Sequence, residues 1–294
     1  MHRPTTQTHR RMRALLRGAA VCCALACVGT GAATPEAIEI PFADGIKLKG
    51  WMYRPTTDGE NKGPFPVAII NHGSPPGGAP ERAKMDPKYP VPAEQFLKWG
   101  FVVVVPTRRG YGATGGHYAE ASAPCYNPGF YDSGLESAKD IAAAVRFATA
   151  LPYVDSSKVL LVGQSAGGWA VLAAATRTDI GAKAVLNFAG GRGGHKNLRP
   201  NENCSPDQLV RAAGDYGKEA KRPSLWIYAE NDSYFAPGLA GRMFDNYQSQ
   251  GGNARMIALP AFGKDGHALF GARDGVSVWR PLVEPFLKET GFLK

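Results

Sequence analysis

Val159-Leu160-Leu161-Val162-Gly163-Gln164-Ser165-Ala166-Gly167-Gly168-Trp169 is the stretch on which the reading of this chain turns. Four apolar residues in a row suit a short strand covered on both faces. A Gly-x-Ser-x-Gly turn follows, and Ala166–Arg177 then has helical composition. With 12 serines and 36 glycines in 294 residues, about 0.2 such matches arise by chance, so the pattern needs its setting. The setting is strand, turn, helix. Such a turn lifts a serine hydroxyl clear of a sheet, and small neighbours relieve the crowding. Serine at its ordinary pKa is a weak nucleophile, so the reading requires a base elsewhere.

The chain downstream supplies candidates. Leu225–Tyr228 reads as a strand running into Ala229-Glu230-Asn231-Asp232, and Arg255–Leu259 as a strand running into Gly263-Lys264-Asp265-Gly266-His267. The order Ser165, Asp232, His267 is one of the known triad orders. His267 would take the Ser165 proton, while Asp232 would hold the imidazole in the right tautomer. Glu230 and Asp265 are rival acids. His72, His117 and His195 are rival bases, of which His117 and His195 lie in glycine-rich loops and read as surface histidines. His72-Gly73-Ser74 follows the apolar run Val67–Asn71, where a backbone N–H of an oxyanion hole is expected. The expected donors are the N–H groups of Ser74 and Ala166.

The rest of the chain fits one α/β domain, residues 34–294. Ala37–Phe42 and Ile46–Tyr53 read as a hairpin around Ala43-Asp44-Gly45. Strands at Val67–Asn71, Phe101–Val105, Val159–Val162, Val185–Phe188, Leu225–Tyr228 and Arg255–Leu259 alternate with helices at Ala93–Trp99, Gly134–Leu151, Ala166–Arg177, Pro237–Gln250 and Val276–Thr290. That order predicts a mostly parallel sheet with helices on both faces and chemistry at the strands' carboxyl ends. Gly110-Tyr111-Gly112-Ala113-Thr114-Gly115 matches a nucleotide-binding pattern, but Pro124 and Pro128 intervene before any helix, so no such cofactor is expected. Two long insertions, 113–132 and 189–223, are expected to shape the pocket. Tyr118, Tyr126, Phe130, Tyr131, Trp169, Tyr234 and Phe235 are candidate walls, although core packing explains each one alone.

With these features together, the chain resembles the α/β-hydrolase superfamily over residues 37–294. Arg108-Arg109-Gly110-Tyr111-Gly112, the serine elbow, and the segments ending in Asp232 and His267 resemble the dienelactone-hydrolase-like group, which grades into prolyl-oligopeptidase-like enzymes. The resemblance implies hydrolysis through an acyl-enzyme and no cofactor or metal. It also makes the Tyr111 hydroxyl an alternative oxyanion donor. True dienelactone hydrolases carry a cysteine where Ser165 stands, so carboxylic esters in general are the expected substrates, and the expected partner is a small-molecule ester. A serine peptidase or acyltransferase using the same triad is the alternative, and a non-catalytic binding protein on this scaffold is the reading of another class.

The composition sets the compartment. Residues 1–33 hold five arginines and no acid, so removing them takes 34 basic against 25 acidic residues to 29 against 25, and the net charge from +9 to +4. Those arginines precede the apolar stretch Gly18–Val28 and the small residues Gly31-Ala32-Ala33, the order of a secretory signal over residues 1–33. The protein is therefore expected to be exported, periplasmic or extracellular. Cys27 stands in a weak lipobox, the single route to a membrane anchor, and no basic cluster argues for nucleic acid. The signal would remove Cys22, Cys23 and Cys27, leaving Cys125 and Cys204, which lack zinc-ligand spacing. Both sit in the insertions over the carboxyl ends of strands, and a disulfide between them is expected in an oxidising compartment.

Overall fold

From Phe65 onward, strands rich in β-branched residues alternate with helices, and a helix that crosses back over the sheet returns the chain to the same end, so that successive strands run parallel. The protein is seen in a computed structural model that describes residues 1–2, 34–55, 63–122 and 124–294. The expected export signal, with Cys22, Cys23 and Cys27, lies outside the described residues.

The strands are β1 (Glu36–Pro41), β2 (Lys47–Tyr53), β3 (Phe65–Asn71), β4 (Val102–Pro106), β5 (Val154–Gln164), β6 (Ala182–Phe188), β7 (Ser224–Ala229) and β8 (Ala254–Leu259). They form one sheet in the order β1-β2-β4-β3-β5-β6-β7-β8. β1 pairs antiparallel with β2, and β2 with β4; the later pairings are parallel. The helices are α1 (Ala79–Ala83), α2 (Pro90–Lys98), α3 (Phe130–Thr149), α4 (Ala166–Ala174), α5 (Pro206–Glu219), α6 (Pro237–Ser249) and α7 (Gly275–Glu289).

Because successive strand residues point to opposite faces, one strand feeds two cores. Val67 and Ile69 of β3, with Val102 and Val104 of β4, pack under α3, α4, α5 and α6. Ala68 and Ile70, with Val103 and Val105, pack under α2 and α7 around Phe96, Trp279 and Phe286. The run of valines in β4 is buried on both faces, as its lack of alternation requires.

The structure departs from the sequence reading at several places. α3 begins at Phe130 rather than Gly134, and β5 runs from Val154 rather than Val159. The insertion 189–223 contains a full helix, α5, where the sequence alone suggests no regular element. Its buried Leu209, Ala212, Ala213 and Tyr216 have helical spacing. Two glycines and a charged outer face hide that pattern. The described residues from 34 onward pack as one unit.

Candidate active site

β5 ends at Gln164 and α4 starts at Ala166, which leaves Ser165 alone in the turn with φ 57° and ψ −124°. That backbone is strained for a residue with a side chain, and the neighbours allow it by having none. A Cβ on Gly163 would lie 2.1 Å from the Gly167 carbonyl oxygen, and one on Gly167 would lie 2.0 Å from that of Asn71. Ser165 faces a cavity of about 260 Å³, shared with Ser74, Ala166, Tyr118, Arg192 and Phe235.

Asp232 follows β7 and His267 follows β8, which brings both to the edge of the sheet where Ser165 stands. Both Asp232 carboxylate oxygens lie 3.0 Å from His267 Nδ1. Asp232 is buried, and its Oδ1 also accepts the backbone N–H groups of Tyr234 at 2.8 Å and Phe235 at 2.9 Å. A carboxylate can only accept, so Nδ1 carries the proton and Nε2 keeps its lone pair. Glu230 is exposed, and Asp265 serves the loop instead, its Oδ1 accepting the His267 N–H at 3.0 Å. Of the three acids, Asp232 alone meets the imidazole ring. The expected contact of roughly 2.6–3.2 Å between Ser165 Oγ and His267 is not formed: among the described residues the hydroxyl has no hydrogen-bond partner. Such bonds are commonly long before substrate orients them.

Gly73 and Ser74 pass close above the serine, and a Cβ on Gly73 would lie 3.1 Å from that of Ser165. Among the described residues, neither the Ser74 N–H nor the Ala166 N–H, the first of α4, donates to a protein acceptor. His72 is buried and structural. Its Nδ1 donates to the Gly73 carbonyl at 2.7 Å, and its Nε2 accepts the Arg108 N–H at 3.1 Å. Burial, helped by the Arg108 charge, pushes its pKa down to about 3, so the ring is neutral.

Tyr111 requires a correction. It is fully buried, and its hydroxyl donates to Glu120 and lies 3.3 Å from that of Tyr118. The tyrosine is thus spent inside the wall and is no oxyanion donor.

That wall holds charges the sequence reading missed. Arg108 grips Glu120 through Nε at 2.6 Å and Nη2 at 3.1 Å, and donates from Nη1 to the His72 carbonyl at 2.8 Å. Arg192 reaches the same carboxylate at 2.8 Å. Burial would raise Glu120, but the two guanidiniums hold it well below the usual carboxylate range. One buried carboxylate therefore ties the His72–Ser74 loop to the cavity floor.

A second brace crosses the elbow. The Tyr89 hydroxyl donates to Gln164 Oε1 at 2.9 Å, and Gln164 Nε2 donates to the His267 carbonyl at 2.8 Å. The residue before the serine thus anchors the histidine loop.

The cavity floor is Gly191-Arg192-Gly193-Gly194, and Gly191 and Gly193 are packed so closely that neither leaves room for a β-carbon. One on Gly191 would lie 2.5 Å from the Phe235 ring, and one on Gly193 would lie 2.8 Å from Cys204 Cβ. Cys204 is joined to Cys125, Cα atoms 5.1 Å apart, linking the two insertions. Of the candidate aromatic walls, Tyr118, Tyr234 and Phe235 line the cavity. Phe130 and Trp169 are core residues, Tyr131 packs against that core, and Tyr126 is exposed. His117 is exposed as expected, but His195 lines the cavity.

The fold is that of the α/β-hydrolases. The model of the prolyl oligopeptidase family matches residues 91–187, which include the elbow. No curated protein matches the chain. Among solved structures, an acylaminoacyl peptidase from Pyrococcus horikoshii superposes with a TM-score of 0.64 at 18% identity, over 90% of this chain and 43% of that one. This chain thus spans less than half of that peptidase. A Klebsiella pneumoniae protein assigned as a dienelactone hydrolase gives 0.58 at 15% identity, over 86% and 98% of the two chains. An acetyl xylan esterase from Paenibacillus sp. R4 gives 0.62 at 18% identity, over 87% and 85%.

Proposed function

We propose that the protein is an exported serine hydrolase that cleaves small carboxylic esters through an acyl-enzyme on Ser165. The observation that carries the reading is the Asp232–His267 pair near an elbow serine flanked by two N–H groups that have no partner among the described residues. In the forward step, His267 Nε2 takes the hydroxyl proton as Oγ bonds to the ester carbonyl carbon. The carbonyl oxygen becomes negative and receives the N–H groups of Ser74 and Ala166. Asp232 stabilises the imidazolium. His267 then gives its proton to the departing alkoxide, the C–O bond breaks, and the acyl-enzyme remains. Water repeats the sequence and frees the acid.

A cavity of about 260 Å³ is at the small end for a ligand site, which favours short acyl groups. The match to the prolyl oligopeptidase family supports a second reading, amide hydrolysis with the same residues. Export rests on the arginine-rich start and the apolar stretch behind it; a mature N-terminus near residue 34 is the expected mass-spectrometric result.

The test is a panel of p-nitrophenyl esters and aminoacyl p-nitroanilides, run with fluorophosphonate labelling. Short-chain esters should turn over fastest. Ser165→Ala should abolish labelling and reduce turnover by about 10⁴-fold or more. Unchanged turnover in that variant refutes the mechanism, and faster anilide cleavage selects the peptidase reading.

A further inference from the structure

We infer that His195 is a specificity-determining residue that accepts a hydrogen bond from a hydroxyl on the alcohol part of the substrate, so that the preferred substrates are esters of polyhydric alcohols. The inference rests on the ester reading above.

The argument follows one proton. Ser233 Oγ lies 2.6 Å from Asp265 Oδ2, and the Ser233 N–H reaches Oδ1 of the same group at 3.1 Å. Burial raises the Asp265 pKa, but the Ser233 hydroxyl and the N–H groups of His267 and Ser233 bring it below its ordinary value, so the group is a carboxylate. A carboxylate only accepts, and the Ser233 hydroxyl must donate to it. The Ser233 oxygen then has only lone pairs left for His195 Nε2, 2.9 Å away. Nε2 therefore carries the hydrogen. Neutral imidazole has one N–H, which leaves Nδ1 an acceptor.

Nδ1 has no partner among the described residues and is not sealed from solvent, while His195 itself lines the cavity that holds Ser165. The ring cannot swing freely. It stacks on Tyr234 with centroids 3.6 Å apart and planes within 5°, and Tyr234 stacks in turn on His267 at 4.1 Å. An acceptor is thus held two ring spacings from the imidazole that protonates the leaving alcohol. A hydroxyl a few bonds from the ester oxygen meets that description, and a plain alkyl alcohol offers nothing there.

The experiment compares kcat/KM for glycerol 1-monoacetate and propyl acetate, which have the same carbon skeleton in the alcohol. The native protein should favour the glycerol ester by about five- to tenfold, the worth of one neutral hydrogen bond. His195→Phe keeps a ring against Tyr234 but has no acceptor, and its ratio should fall to near one. In His195→Asn an amide oxygen can take the place of Nδ1, and part of the preference should return. Because each value is a ratio within one variant, general damage to the site cancels. A native ratio near one, or a ratio that survives His195→Phe, overturns the inference. If neither ester turns over, the result also counts against it, and fluorophosphonate labelling of the same sample shows whether the serine-hydrolase reading falls with it.

Discussion

On one side of Ser165 the His72–Ser74 loop is held by ions, and on the other the His267 loop is held by rings and hydrogen bonds. The first wall has two guanidiniums, Arg108 and Arg192, against one carboxylate, Glu120, all buried. The second has two carboxylates, Asp232 and Asp265, beside the stack His195–Tyr234–His267. The surplus charge is positive where the acyl oxygen would turn negative, and negative where the imidazole would turn positive. Fixed charges arranged this way favour the charge separation of acyl transfer without rearranging when it occurs. The ion-bound wall is costly to damage, since removing one partner strands the others away from water. The ring-bound wall should tolerate change in stability while losing chemistry.

Breaking the histidine side at its carboxylate should have the largest effect. Asp232→Asn is expected to lower kcat by about 10⁴, because the amide favours the wrong tautomer. Steady-state kinetics checks this, with slow fluorophosphonate labelling surviving.

Breaking the ionic side should cost stability first. Glu120→Gln leaves two guanidiniums uncompensated and should lower unfolding stability by about 3–5 kcal/mol, read from urea midpoints. The folded carboxyl is held well below its ordinary value of 4.5, so its contribution is present above that pH and fades as the pH falls. The gap between native protein and variant should therefore be widest near neutrality and narrow on acidification.

Replacing both Cys125 and Cys204 by Ser removes the link between the insertions and should cost about 2–4 kcal/mol in the same titration. The smallest effect should come from the brace between the walls. Gln164→Leu removes the bond to the His267 carbonyl, for an expected loss of about 1 kcal/mol in stability and a roughly tenfold lower kcat with KM little changed. An equal fall in stability for Asp232→Asn and Glu120→Gln would erase the contrast between the walls.

Ser165, Asp232 and His267 were legible because each lies at the carboxyl end of a strand, and strand order alone brings those ends together. The acid was legible only as a choice among three, since the tight loops after β7 and β8 decide which carboxylate turns inward. The ion cluster was not legible. Arg108 and Glu120 lie twelve residues apart on the connection from β4 to α3 and Arg192 on the one after β6, and no recognisable motif relates them. Tyr111 misled for the same reason: its hydroxyl needs a partner when buried, and sequence does not show that Glu120 supplies it. His195 looked like a surface residue of a glycine-rich loop, and only the fold sets it against Tyr234.

The glycine floor of the cavity bears on how this pocket could be re-engineered. A pocket is usually narrowed or reshaped by exchanging the side chains that line it. Here the floor offers no such handle, because even an alanine at Gly191 or Gly193 would drive a methyl group into Phe235 or Cys204. Directed evolution should find these positions closed, with accepted changes gathering at Tyr118, Ser122 and Leu198 on the insertions.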